Sequence, residues 1–132
     1  IKSNGEKYKG FFLNNKKHGN GIEITSDGTK FEGTFYENEK VNGSIIYPDN
    51  SSYKGDVKSS QLNGEGIFKW NDGRSYQGSW VNNKLQGKGI FIWKTKMKYE
   101  GQYKNNVREG IGKFYWNQHT FYEGKFANGK QV

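Results

Sequence analysis

A 23-residue period runs through the chain and restricts its fold more than any other feature. An aromatic-x-Gly triplet recurs at Tyr8-Lys9-Gly10, Phe31-Glu32-Gly33, Tyr53-Lys54-Gly55, Tyr76-Gln77-Gly78, Tyr99-Glu100-Gly101 and Tyr122-Glu123-Gly124, at spacings of 23, 22, 23, 23 and 23 residues. Each unit reads aromatic-x-Gly-x-aromatic, a polar turn, Gly-x-Gly, then an alternating apolar stretch. Several units close on a turn such as Ser26-Asp27-Gly28 or Asn71-Asp72-Gly73. A fixed period of this length marks an array in which each unit is stabilised mainly by its neighbours. The repeats are read as 8–30, 31–52, 53–75, 76–98 and 99–121. Residues 1–7, with Asn4-Gly5 in the turn position, read as the tail of a preceding repeat, and 122–132 as the start of another. Neither end is capped, so a fragment of a longer array is expected.

Alternation at period 2 on both sides of a polar turn predicts β-hairpins rather than helices. In the fourth unit, a four-residue loop at Asn83 to Gln86 would set Trp80 opposite Gly89, Gly78 opposite Phe91 and Tyr76 opposite Trp93, all on one face. Each glycine would then seat an aromatic ring from the facing strand, which explains why glycine, usually weakening inside a strand, is placed there. By the same register Val57 lies over Gly66, Phe68 over Gly55 and Tyr53 beside Trp70. In the fifth unit Tyr103 lies over Gly112, Phe114 over Gly101 and Tyr99 beside Trp116. The first unit departs, with Glu23 and Thr25 at aromatic positions. The second is a residue short around Lys40 to Asn42 and lacks its first turn glycine, so an altered hairpin loop is expected there.

The run Tyr76-Gln77-Gly78-Ser79-Trp80, followed by Gly87-Lys88-Gly89 on the 23-residue period, resembles the MORN repeat (membrane occupation and recognition nexus). The resemblance covers essentially the whole chain. It implies an all-β fold: an elongated, curved, single-layer antiparallel β-meander solenoid, one hairpin per repeat, with an aromatic-lined groove. Ten or eleven strands at ~4.8 Å each would span roughly 50 Å. It also implies functions, since such arrays occur in cytoskeletal, ciliary and membrane-junction proteins. They also accompany phosphatidylinositol-phosphate kinases and SET-domain methyltransferases.

Composition narrows the chemistry. Only 31% of the chain is hydrophobic, yet 17% is aromatic, with 19 glycines and one proline, Pro48. No run approaches the roughly 20 apolar residues of a membrane span. The absence of cysteine removes disulfides and thiolate chemistry and fits a cytoplasmic setting, with peripheral membrane or cytoskeletal association as alternatives. His18 and His119 are too far apart, and too few, for a metal site. The Gly-x-Gly pairs lead into strands rather than a helix, against a dinucleotide loop. No catalytic, cofactor or metal residues are therefore expected, and the chain is read as a non-catalytic scaffold.

The partner groove is expected to be lined by Phe68, Trp70, Tyr76, Trp80, Phe91, Trp93, Tyr99, Tyr103, Phe114 and Trp116, and to receive an apolar protein segment or a second copy of the chain as a homodimer. The opposite face is also partly apolar, through Phe11, Leu13, Ile22, Ile24, Val81, Ile90 and Ile92. The net charge of +8 resides almost wholly in lysine. It suggests an alternative role at acidic phospholipid membranes. The candidate lysines are Lys94, Lys96 and Lys98, which replace the expected Asp-Gly turn, with Lys16 and Lys17 on a hairpin loop as a second site. Nucleic acid is disfavoured, because the glycine pairing already accounts for the aromatic spacing. A further alternative is an accessory repeat domain of a larger lipid kinase or methyltransferase.

Overall fold

The computed structural model describes residues 5–132. The assignment of 1–7 to a preceding repeat, with its Asn4-Gly5 turn, falls partly on residues 1–4, outside the described residues. The strands are β1 (Lys7–Leu13), β2 (Lys16–Ile24), β3 (Lys30–Tyr36), β4 (Glu39–Ile46), β5 (Ser52–Lys58), β6 (Gln61–Lys69), β7 (Ser75–Val81), β8 (Lys84–Ile92), β9 (Lys98–Lys104), β10 (Val107–Tyr115), β11 (Phe121–Ala127) and β12 (Lys130–Gln131). They form one open antiparallel meander in chain order, and the described residues contain no helix.

The register differs from the expected one by two residues along the glycine rows and by four next to the turn. Gly78 pairs with Gly89, Tyr76 with Phe91 and Trp80 with Leu85, not Trp80 with Gly89. The third hairpin likewise pairs Gly55 with Gly66, Tyr53 with Phe68 and Val57 with Leu62, and the fifth pairs Gly101 with Gly112 and Tyr99 with Phe114. Turn chemistry is the cause. The hairpin loop is not Asn83 to Gln86 but the two residues Asn82 and Asn83, at φ of 49° and 69°. Two consecutive left-handed residues make the turn whose twist matches paired strands, and asparagine tolerates that conformation. The same turn recurs at Asn14-Asn15, Glu37-Asn38, Ser59-Ser60, Asn105-Asn106 and Asn128-Gly129. Lys16, Lys17 and His18 consequently open strand β2 rather than lying on a loop.

The two residues gained at the turn reappear as a bulge between Gly78 and Trp80, opposite Gln86 to Lys88. Here the Gly-x-Gly pair divides its labour. Gly87, at φ +86°, bends the strand, while Gly89 continues the ladder. The second hairpin accommodates its missing residue in this bulge. Its turn, Glu37-Asn38, is unaltered, and only one extra residue is accommodated between Asn42 and Lys40. The expected change of hairpin loop is therefore a change of bulge, because a bulge can shed a residue without moving the turn.

Corrected in this way, the register aligns eleven glycines in one row across β1 to β11: Gly10, Gly21, Gly33, Gly43, Gly55, Gly66, Gly78, Gly89, Gly101, Gly112 and Gly124. The adjoining row carries Tyr8, Glu23, Phe31, Ile45, Tyr53, Phe68, Tyr76, Phe91, Tyr99, Phe114 and Tyr122. Glycine does seat a ring, but the ring comes from the triplet's own tyrosine, lying diagonally. A methyl carbon on Gly89 would overlap the Tyr76 ring, and one on Gly66 the Tyr53 ring. The ring reaches along its strand until its hydroxyl meets the bulge carbonyls: Tyr53 donates to Asp56 O at 2.7 Å, Tyr76 to Ser79 O at 3.2 Å and Tyr99 to Gln102 O at 2.9 Å. Burial pushes the Tyr76 hydroxyl up to about 12, so it remains a donor at any physiological pH.

Adjacent hairpins are also stitched at their turns. The Asn83 amide N–H donates to Leu62 O at 3.0 Å while its Oδ1 accepts from Leu62 N at 2.7 Å. Asn106 repeats this on Leu85, at 3.0 and 2.8 Å, and Asn38 on Lys17, at 2.8 Å for both bonds.

Candidate functional site

The expected groove residues all lie on one face but divide into two layers. Tyr76, Trp80, Phe91, Tyr99 and Tyr103 are buried by the protein's own rings and make the core. The Tyr76 ring is packed by Trp80 at 5.3 Å and Tyr103 at 5.5 Å, both edge-on. Trp80 satisfies its indole N–H on Gly66 O at 3.2 Å. Phe68, Trp70, Trp93 and Phe114 are only partly buried against this core, and Trp116 is exposed.

The partly buried rings form a continuous aromatic path along the array, bridged by the buried Phe91 and ending on the exposed Trp116: Phe68 to Trp70 at 4.6 Å, Trp70 to Phe91 at 5.3 Å, Phe91 to Trp93 at 4.5 Å, Trp93 to Phe114 at 5.4 Å and Phe114 to Trp116 at 5.2 Å. The tryptophans hold this position because each begins the link between repeats. Trp70 N–H donates to Arg74 O and Trp93 N–H to Met97 O, both at 2.9 Å. The link after Trp93 turns at Lys96, φ +74°, where the link after Trp70 turns at Gly73.

Beside this path lies a groove of about 750 Å³. Of the expected residues it takes Phe68, Trp70, Trp80, Phe91, Trp93 and Tyr103, but not Tyr76, Tyr99, Phe114 or Trp116. It adds Tyr47, Leu62, Leu85, Asn83, Asn106, Val107, Arg74, Arg108 and Gly129. Arg108 is the notable addition. Its guanidinium stands 5.2 Å from the Phe114 ring and 5.8 Å from those of Trp93, Tyr99 and Phe126, and it donates to Gly129 O through Nε at 3.2 Å and Nη2 at 2.5 Å. Arg74 stands 4.9 Å from the Trp70 ring and is paired with Asp72 at 2.9 Å. A signal for Arg108 existed in the sequence: aligned on the period, it occupies the column of the buried Leu62 and Leu85, two positions after the second turn residue.

Lys17 and Lys40 occupy the same column in the first two hairpins, and there a carboxylate answers them. Glu23, in the aromatic row, meets Lys17 Nζ at 2.5 Å and Lys40 Nζ at 2.9 Å. Burial opposes its ionisation, but the hydrogen bonds and charges of the two lysines outweigh that and hold its carboxyl below the usual range. A depressed folded-state value means that Glu23 contributes stability above the ordinary carboxylate range and loses it as pH falls through the folded value. Acid titration of Glu23→Gln against the parent is expected to show a smaller loss of melting temperature below pH 4.5 in the variant. Parallel curves would show that the cluster contributes nothing.

The lysine candidates do not converge. Lys94 and Lys96 are exposed on the inter-repeat link, whereas Lys98 is half-buried on the opposite face, paired with Glu100 at 2.8 Å and 4.5 Å from the Tyr115 ring. Lys16 is exposed, but Lys17 is committed to Glu23. On the opposite face Phe11, Leu13, Ile46, Ile90, Ile111 and Phe121 are exposed. His18 accepts from the Glu37 amide at 3.4 Å and His119 sits in the link before β11, and no group of three or more metal-ligating side chains occurs among the described residues.

No curated protein matches the chain. The family model of the MORN repeat matches residues 8–30, 53–73, 76–98 and 99–121, together more than half of the chain. The ladder of glycines and tyrosines described above is the structural counterpart of those matches, and the chain belongs to the MORN-repeat family, whose repeats are interaction modules rather than a catalytic fold.

Proposed function

We propose that this array is a non-catalytic scaffold that holds a protein partner in the groove along Phe68, Trp70, Phe91 and Trp93. The observation that carries this reading is the division of the aromatic face into two layers. The inner rings are used up in the core, whereas the tryptophans beside them keep part of their surface in solvent without being needed to seat any glycine. Partly exposed tryptophan beside arginine is the composition favoured at interaction hot spots. Trp93→Ala is expected to leave the protein folded, with a melting temperature lowered by a few degrees, and to weaken partner binding at least tenfold in titration calorimetry. Undiminished affinity would overturn the groove reading. Acidic-membrane association is the second reading, supported by exposed Lys94 and Lys96, two positive charges two residues apart on the link between β8 and β9. With Lys98 held by Glu100, the two would supply only on the order of 2 kcal/mol.

A further inference from the structure

The groove contains two positive charges and, among the fifteen residues that line it, no aspartate or glutamate, although Arg74 is paired with Asp72 just outside the lining. The two charges are Arg74 and Arg108, and they are also the two arginines of the entire sequence, whose other 19 basic residues are lysines. The contrast with the first two hairpins is informative. Where Lys17 and Lys40 take the same inward column, the Glu23 carboxylate pairs with both, at 2.5 and 2.9 Å. Arg108 takes that column with no carboxylate at ion-pair distance among the described residues. Its guanidinium is instead immobilised by four rings and by Gly129 O. Two of its N–H groups are used there, and the planar fork has further donors. An arginine fixed in this way, with an apolar surround, is pre-organised for a carboxylate.

Resting on the proposed function of this groove, we infer that its occupant is an extended protein segment in which a carboxylate is set among apolar side chains, the carboxylate pairing with Arg108 while the apolar groups cover Trp70 and Trp93. The groove also supplies what a peptide backbone needs. Asn83 and Asn106 line it one repeat apart, and their Oδ1 atoms are committed to Leu62 and Leu85. Their Nδ2 groups make no hydrogen bond within the described residues and stand ready to donate to backbone carbonyls. An acyl chain offers no acceptor for such donors. Charge complementarity of this kind selects among partners as much as it strengthens binding.

The test is selection of 12-residue peptides from a random display library on the parent protein, followed by affinity measurement with synthetic peptides by fluorescence anisotropy. The selected peptides are expected to combine aspartate or glutamate with aromatic or aliphatic residues. Arg108→Gln is expected to weaken them at least tenfold, Arg74→Gln severalfold, and Lys54→Gln, on the opposite face, not at all. Changing the peptide's own carboxylate to its amide should weaken binding to the parent but not to Arg108→Gln. Melting curves establish that each variant is folded. If Trp93→Ala abolishes binding while Arg108→Gln and the amide peptide leave it intact, the carboxylate inference fails and the groove stands. If Trp93→Ala also leaves binding intact, the groove reading fails with it. Selection of peptides without acidic residues, or of none, likewise overturns the inference.

Discussion

Gly89→Val is expected to destabilise the protein by about 3 kcal/mol, the upper part of the range for overpacking a closed core. A carbon at this position overlaps the Tyr76 ring, and that ring cannot step aside. It is fully buried, with Trp80 and Tyr103 edge-on at 5.3 and 5.5 Å and Phe91 at 6.4 Å. The partner glycine offers no relief either, since a carbon on Gly78 would come within 2.5 Å of the Gly89 Cα. The informative control is Gly28→Ala. Gly28 has φ +94°, but nothing lies within 4 Å of an added methyl, so only the left-handed backbone is penalised, at about 1 kcal/mol. Denaturant unfolding midpoints distinguish the two. Equal losses at Gly89 and Gly28 would mean that no ring is seated on Gly89.

Tyr99→Ala is expected to be at least as damaging, at about 4 kcal/mol, the usual cost of truncating a buried aromatic side chain. Tyr99 is fully buried and links three hairpin elements through Tyr103 at 5.3 Å, Phe126 at 5.0 Å and the Arg108 guanidinium at 5.8 Å. Because an array of this kind is held by nearest neighbours, unfolding should begin at β9 to β12 and appear as early hydrogen exchange there. Tyr99→Phe keeps the ring and loses only the hydroxyl's bond to Gln102 O, about 1 kcal/mol. The second hairpin already contains this exchange naturally, since Phe31 lies against Gly33 and Gly43 with no hydroxyl. A Tyr99→Phe variant as unstable as Tyr99→Ala would show that the hydroxyl, not the ring, is the main source of stability.

The strand order, the shared face of Tyr76, Trp80, Phe91 and Trp93, and the use of glycine as a ring seat were legible in the sequence because each depends only on the 23-residue period and the two-residue pleat. The register error did not disturb them, since a slip of two returns every side chain to its own face. What was hidden is local and cooperative. Asn82-Asn83 reads as part of a polar loop until its two left-handed residues are seen to close the hairpin, which moves the surplus residues into a bulge at Gly87. The diagonal reach of Tyr76 follows from that bulge, whose displaced carbonyls its hydroxyl finds. For the groove, counting aromatics merged two layers that share one face, because burial of Tyr99 and Tyr103 depends on rings from neighbouring repeats. Arg108 and Glu23 were visible as departures from their columns, but only the structure shows that Glu23 has ion-pair partners and Arg108 has no carboxylate at that distance among the described residues.

The separation of a buried aromatic layer from a presented one underlies the entire functional reading, and the four tryptophans report on it directly. In 5-fluorotryptophan-labelled protein, each resonance can be assigned by a single Trp→Phe substitution, and a soluble gadolinium chelate broadens those that solvent reaches. Trp80, 4% exposed, is expected to stay sharp, Trp70 and Trp93 to broaden, and Trp116, 43% exposed, to broaden most. Trp80 broadening as strongly as Trp93 would contradict the account, because the aromatic face would then have no closed layer for the open one to rest on.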